Sequence, residues 1–254
     1  MTRLLRWLRW PLGILGALLA VVLALASCLG HALPEGKPGP EAEALAQRYA
    51  QAAGGDAWAR TGAVRFVFRK DTQHLWDKQR NLDRVKLIAS GEVVLLDVGK
   101  KTGRAYDATG TELTGERAGK LVDKAYARFC NDTFWLNPLA KLFDEGVTRT
   151  RVVDKDGESL LIHYASGGKT PGDSYQWLAG PGELPRAWRM FVQIIKIKGL
   201  EMTWEDWVTL PTGAKVATRH RALGMDALRL SDVSGAATLE ALEPGPDPFA
   251  PIVK

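Results

Sequence analysis

From residue 64 the chain alternates. Val64, Phe66 and Phe68 are set off by Arg65, Val67 and Arg69, a period of two that predicts a half-buried strand. Similar stretches recur over 73–78, 83–89, 91–98, 103–107, 147–154, 158–165, 173–179, 186–195, 200–208, 214–221 and 226–234. Between them stand turn signals such as GKKTG, DKDG, GPGELP and PTGA. Eleven or twelve short strands at hairpin spacing predict one meandering antiparallel sheet, and nothing in the pattern suggests βαβ crossovers. Strand parity places Trp188, Met190, Val192 and Ile194 on one face with Met202 and Trp204, and turns Arg189, Gln193, Glu201 and Glu205 outward. Trp207 has the wrong parity for that face unless a bulge intervenes.

Two segments depart from the period of two. Pro40 and Glu41 suit a helix start, Ala42, Leu45, Tyr49 and Ala52 fall on one face, and Gly54-Gly55 suits its end. The second departure is 115–143, where Leu121, Val122, Ala125 and Phe129 recur at helical spacing before the apolar TFWLNPLAKLF. This insertion falls between the first strands and the rest. Its 133–143 stretch reads either as a lid over a concavity or as a plug packed in it. Asn131, Asp132 and Thr133 are capping types and need no other role.

The first 30 residues read differently from the body. MTRLLRWLRW is basic, PLGILGALLAVVLALAS is apolar, and Ala26-Ser27 precedes Cys28, the order of a secretory signal. Leu25-Ala26-Ser27-Cys28 resembles the bacterial lipobox, which implies that Cys28 becomes the acylated N-terminus of the mature protein. An uncleaved anchor is the alternative, since Pro11–Gly30 has about the 20 residues needed to cross a bilayer. Either reading leaves the arginines in the cytoplasm and the body on the periplasmic side of the envelope, anchored in the inner or outer membrane. Residues 28–40, rich in Pro and Gly, read as a semi-extended tether of roughly 3 Å per residue. The chain thus divides into a leader or anchor (1–27), a tether (28–40), one domain (41–240) and a Pro-rich tail (241–254).

Composition adds limits. The net charge is +5, but Arg3, Arg6 and Arg9 supply three of the five charges, so the basicity of the body is no argument for a nucleic-acid partner. With only Cys28 and Cys130 there is no internal disulfide framework, and Cys130 in YARFCND reads as a buried small residue. A monomer is expected.

An N-terminal helix ending in Gly-Gly with Trp58 after it, a meander of strands, and a helical insertion with an aromatic-proline segment resemble the lipoprotein-localisation-factor superfamily (LolA, LolB and LppX-like proteins). NDTFWLNPLAKLFDEGV followed by TPGDSYQW resembles, more narrowly, uncharacterised bacterial lipoprotein-like families of that fold. The resemblance spans about residues 41–240. It implies a mainly β (α+β) domain, a curved half-barrel of about eleven strands whose concave face is covered by helices and can accept acyl chains.

Candidate chemistry is sparse. Phe66, Phe68, Trp76, Phe134, Trp135, Leu136, Trp188, Met190, Met202 and Trp204 are the side chains expected to line a hydrophobic-ligand site, with a filled core as the plain alternative. Gly168-Lys169-Thr170 lacks the earlier glycine and the following helix of a phosphate loop and reads as a hairpin tip. His31, His74, His163 and His220 are scattered, with no metal-ligand spacing. Glu205 and Asp206 point to opposite faces of a regular strand, and Ser166 and Ser174 lack a nucleophile elbow. No catalytic residue, metal or cofactor is expected. The leading expectation is a non-catalytic, membrane-tethered envelope lipoprotein holding a lipid or the acyl chains of another lipoprotein. The alternative is a structural or interaction lipoprotein with a filled core and a protein partner.

Overall fold

The structure, a computed structural model, describes residues 30–166 and 171–253. The leader, Cys28 and the Gly168-Lys169-Thr170 tip lie outside the described residues. Among those described, no helix is long and apolar enough to cross a membrane.

The chain opens with helices α1 (Pro40–Ala52) and α2 (Gly55–Arg60). Gly54 separates them at φ 74°, a left-handed position that glycine adopts without penalty. Six strands follow: β1 (Ala63–Phe68), β2 (Thr72–Asp77), β3 (Leu82–Leu87), β4 (Val93–Asp97), β5 (Thr102–Tyr106) and β6 (Glu112–Leu113). Helix α3 (Gly115–Leu136) and a 3-10 turn (Pro138–Lys141) come next. The chain continues through β7 (Val147–Asp154), β8 (Gly157–Tyr164), β9 (Ser174–Leu178), β10 (Ala187–Phe191), β11 (Leu200–Thr203), β12 (Glu205–Thr209), β13 (Lys215–Ala222) and β14 (Met225–Ala236), then a single turn, α4 (Leu239–Leu242).

The strands form one open antiparallel sheet in the order β6-β5-β4-β3-β2-β1-β14-β13-β11-β10-β9-β8-β7, with β12 also on β13. The meander runs from the centre to one edge, crosses to the other, and returns until β14 closes on β1. The crossing is made by α3, whose 22 residues span about 33 Å at 1.5 Å per residue. That is why a helical insertion sits between the two runs of strands.

Among the described residues there are fourteen strands against the expected eleven or twelve. One addition is the two-residue β6. The other comes from a break in 200–208 at Trp204, which separates β11 from β12 and is followed by Asp206 at φ 53° inside β12. That irregularity supplies the parity change Trp207 needed. Its ring packs toward the core, and its Nε1–H donates to the Trp204 carbonyl. The expected β10 face holds for Trp188, Met190 and Val192 but fails at Ile194, which is 77% exposed because β10 ends at Phe191. Arg189 does face away from Trp188 but is buried, held by Asp156 and Glu201.

Neither end of the body is loose. The tether is no free spacer over its described part: the His31 N–H donates to the Lys198 carbonyl, and Lys37 bridges Arg151 on the edge strand β7. The Pro-rich tail is strapped to the sheet face opposite α3. Its Phe249 is fully buried with Leu82 and Leu95, and Arg84 and Arg80 make two-pronged ion pairs with Glu243 and Asp247.

Candidate functional site

The face covered by α1, α2 and the second half of α3 carries the candidate residues. β1 brings Phe66 and Phe68, β10 brings Trp188 and Met190, β11 brings Met202, and Trp204 follows at the break before β12. All six are buried in one core cluster with Leu136 of α3, while Trp76, Phe134 and Trp135 pack against it half-buried.

Trp188 is its centre. Five rings surround it at centroid distances of 4.6 to 5.8 Å: Tyr175, Trp135, Trp204, Trp177 and Phe134. Trp135 also stacks on Trp204 at 6.0 Å and meets His220 edge-on at 5.3 Å. The helix thus contributes Phe134, Trp135 and Leu136 directly to the aromatic layer of the sheet. Trp76 stands apart, between Phe129 of α3 and Trp58 of α2.

This layer leaves polar atoms without partners. Trp188 Nε1, Trp204 Nε1 and His220 Nε2 are buried with no hydrogen-bond partner among the described residues, and so is the Tyr164 hydroxyl. His220 Nδ1 lies 3.0 Å from the Thr203 carbonyl and donates to it, so Nε2 is a bare acceptor. Each such group costs about 1–3 kcal/mol. Burial pulls His220 down to about 4, against a smaller upward effect of that carbonyl, and the ring is neutral near pH 7.

A second cluster was missed in the sequence. His74 of β2 is fully buried, with Nδ1 2.7 Å from Asp83 Oδ2 of β3 and Nε2 3.0 Å from Asp132 Oδ2 of α3. Phe66 stacks on the imidazole at 4.7 Å. Burial alone would lower the pKa, but Asp83 and Asp132 together outweigh it and raise it to about 9. The ring is therefore an imidazolium near neutral pH, with both N–H groups donating to carboxylates.

Asp132 accordingly has a role beyond capping. Helix α3 runs on to Leu136, which leaves Asp132 inside it, fully buried and accepting also from Asn131 Nδ2 at 2.8 Å. The signal available was parity: His74 shares the inward face of β2 with Trp76, so its polar ring demanded a buried partner. Which residue answered could not be read, because Asp132 lies 58 positions away.

As chemistry the Asp83–His74–Asp132 cluster is closed. Its three members have no solvent exposure, and its neighbours are Phe66 and the core. His163 pairs with Ser174 across β8 and β9, and His31 lies against Gly199, so neither joins it. No group of three or more His, Cys, Asp or Glu side chains among the described residues is arranged to hold a metal ion, the Asp83–His74–Asp132 cluster included, since both His74 nitrogens are taken up by the carboxylates. Cys130 is a free thiol, half-buried rather than buried, beside Tyr126.

No protein-family profile matches the chain, and no curated protein is significantly similar to it. Among solved structures, the crystal structure of a DUF1329 family protein from Desulfovibrio piger is similar at 10% identity with a TM-score of 0.40, over 78% of this chain and 93% of that one. That similarity is too weak to carry a fold or a function across.

Proposed function

We propose that the chain is a non-catalytic, membrane-tethered envelope lipoprotein of the lipoprotein-localisation-factor type, with its half-barrel filled by its own helix, serving as an anchored platform for a protein partner. The observation that carries this is the occupancy of the trough. Phe134, Trp135 and Leu136 of α3 take the places around Trp188 that an acyl chain would need. The helix is moreover fixed to the sheet through Asp132 and His74, which favours a permanent plug over a lid. The lipobox-like Leu25-Ala26-Ser27-Cys28 supports the tether. The burial of the Asp83–His74–Asp132 cluster, out of reach of a substrate, supports a non-catalytic role.

Native mass spectrometry of the full chain, extracted from its host membranes in mild detergent, tests this. One stoichiometric protein partner and no non-covalent lipid is the expected result. A single lipid class retained by the folded protein, and lost on Trp188→Ala, would overturn it.

That second reading, a hydrophobic ligand held by the trough, has one observation in its favour. The unpartnered Trp188 Nε1, Trp204 Nε1 and His220 Nε2 cluster directly beneath residues 134–136. Buried polar atoms without partners weaken that contact, and a ligand headgroup replacing the plug could satisfy them.

A further inference from the structure

We propose that one end of the sheet, the one bearing the β10–β11 and β13–β14 connections, lies flat on an anionic phospholipid bilayer. The inference rests on the tethered reading above and adds to it an orientation and a lipid-contacting surface.

The register defines this end. Phe68 pairs with Leu230, Ala222 with both Met225 and Met202, and Met190 with Leu200. The connections 69–71, 192–199 and 223–224 therefore project side by side from neighbouring strands. Ile88 joins them, its N–H donating to the Asp71 carbonyl.

Large apolar side chains stand in water there. Ile194 is 77% exposed, Met225 67% and Leu223 52%, with Ile88 also exposed. Isolated exposed apolar residues need no explanation, but four at the tips of adjacent connections do. They are interleaved with basic residues. Over 69–71, 192–199 and 219–229 the sequence carries seven basic residues against Asp71 and Asp226. Arg219, Arg221 and Arg229 are ion-paired to Asp226, and Glu205 also faces Arg219, which leaves Arg69, Lys70, Lys196 and Lys198 as the basic groups with no ion pair among the described residues. Gln193-Ile194-Ile195-Lys196-Ile197-Lys198 has apolar and basic side chains in close alternation, the composition that settles at a headgroup boundary when the lipid is anionic.

The chain also enters the domain here. The His31 N–H donates to the Lys198 carbonyl at 2.8 Å, and its Nδ1 lies 3.1 Å from the Gly199 carbonyl oxygen. Cys28 is three residues earlier, a reach of at most about 10 Å in extended chain. Acyl chains on Cys28, or an anchor ending there, would hold this rim against the bilayer and present its charge to it.

The test uses the full chain in a Cys130→Ala background, reconstituted into phosphatidylethanolamine–phosphatidylglycerol vesicles. Ile194→Cys, Leu223→Cys and, at the opposite end of the sheet, Val153→Cys each carry an environment-sensitive fluorophore. Probes at 194 and 223 are expected to shift to the blue and resist an aqueous quencher, while the probe at 153 stays in water. Lys196→Glu with Lys198→Glu should return both to water, each basic residue being worth roughly a fivefold factor in contact with an anionic surface. Protein retained through a carbonate wash with aqueous probes at 194 and 223, as would follow if the rim docked a protein, overturns this proposal alone. Protein lost in the wash overturns the tether and the proposal together.

Discussion

His74 Nε2 and Asp132 Oδ2 lie 3.0 Å apart with no solvent at either. This contact joins the second strand to the crossing helix and, through Asp83, to the third strand. A buried ion pair adds little over an apolar pair of the same shape, but removing one partner leaves an uncompensated charge. Asp132→Ala should therefore lower unfolding stability by about 3–5 kcal/mol, and Asp132→Asn by less, because the amide oxygen still accepts from His74. Denaturant titration followed by tryptophan fluorescence measures both.

The two buried histidines predict opposite pH responses. His74 is raised in the fold to about 9 from an ordinary 6.5, so the native state holds a proton that the unfolded chain releases. Its contribution is complete below pH 6.5 and is lost as pH rises through 9. His220 is lowered to about 4, so between pH 6.5 and 4 the unfolded chain takes up a proton the fold excludes, and stability falls as the solution is acidified. Melting temperature against pH should lose its alkaline decline in His74→Gln and part of its acid decline in His220→Phe. An unchanged alkaline limb in His74→Gln would show that the imidazolium is not what holds helix and sheet together.

The aromatic layer predicts a response to truncation. Trp188→Ala removes a fully buried ring contacted by five others and should cost about 3–5 kcal/mol. Trp135→Ala is half-buried and should cost less, while opening a void beside Trp188, Trp204 and His220. A lipophilic dye that binds Trp135→Ala and not the parent protein would show that α3 fills the trough.

The tail strap and the entry segment are separately testable. Phe249→Ala exposes Leu82 and Leu95 and should destabilise by about 3–5 kcal/mol, with new cleavage at 244–248 in limited proteolysis. Gly199 sits at φ 68°, and a Cβ there would lie 2.7 Å from His31 Cβ and 2.9 Å from its carbonyl oxygen. Gly199→Ala should leave the core intact and release residues 31–36 to protease.

The sequence by itself determined the strand meander, the α1 face of Ala42, Leu45 and Tyr49, with Ala52 of that face only half-buried at the helix end, and the 115–143 insertion, because periodicity records which side of each element avoids water. It also gathered the candidate aromatic residues, since parity assigns Trp188, Met190, Met202 and Trp204 to one face regardless of what covers it. Only the tertiary structure decided what covers it, because filling depends on where α3 crosses the sheet. Partners distant in sequence were equally out of reach: Asp132 reads as a cap until His74 is placed opposite it, and Phe249 reads as coil until Leu82 and Leu95 present a surface. Hydrophobic patterning is local in the chain, whereas a buried charge or a docked tail is stabilised by groups brought together only when the sheet has formed.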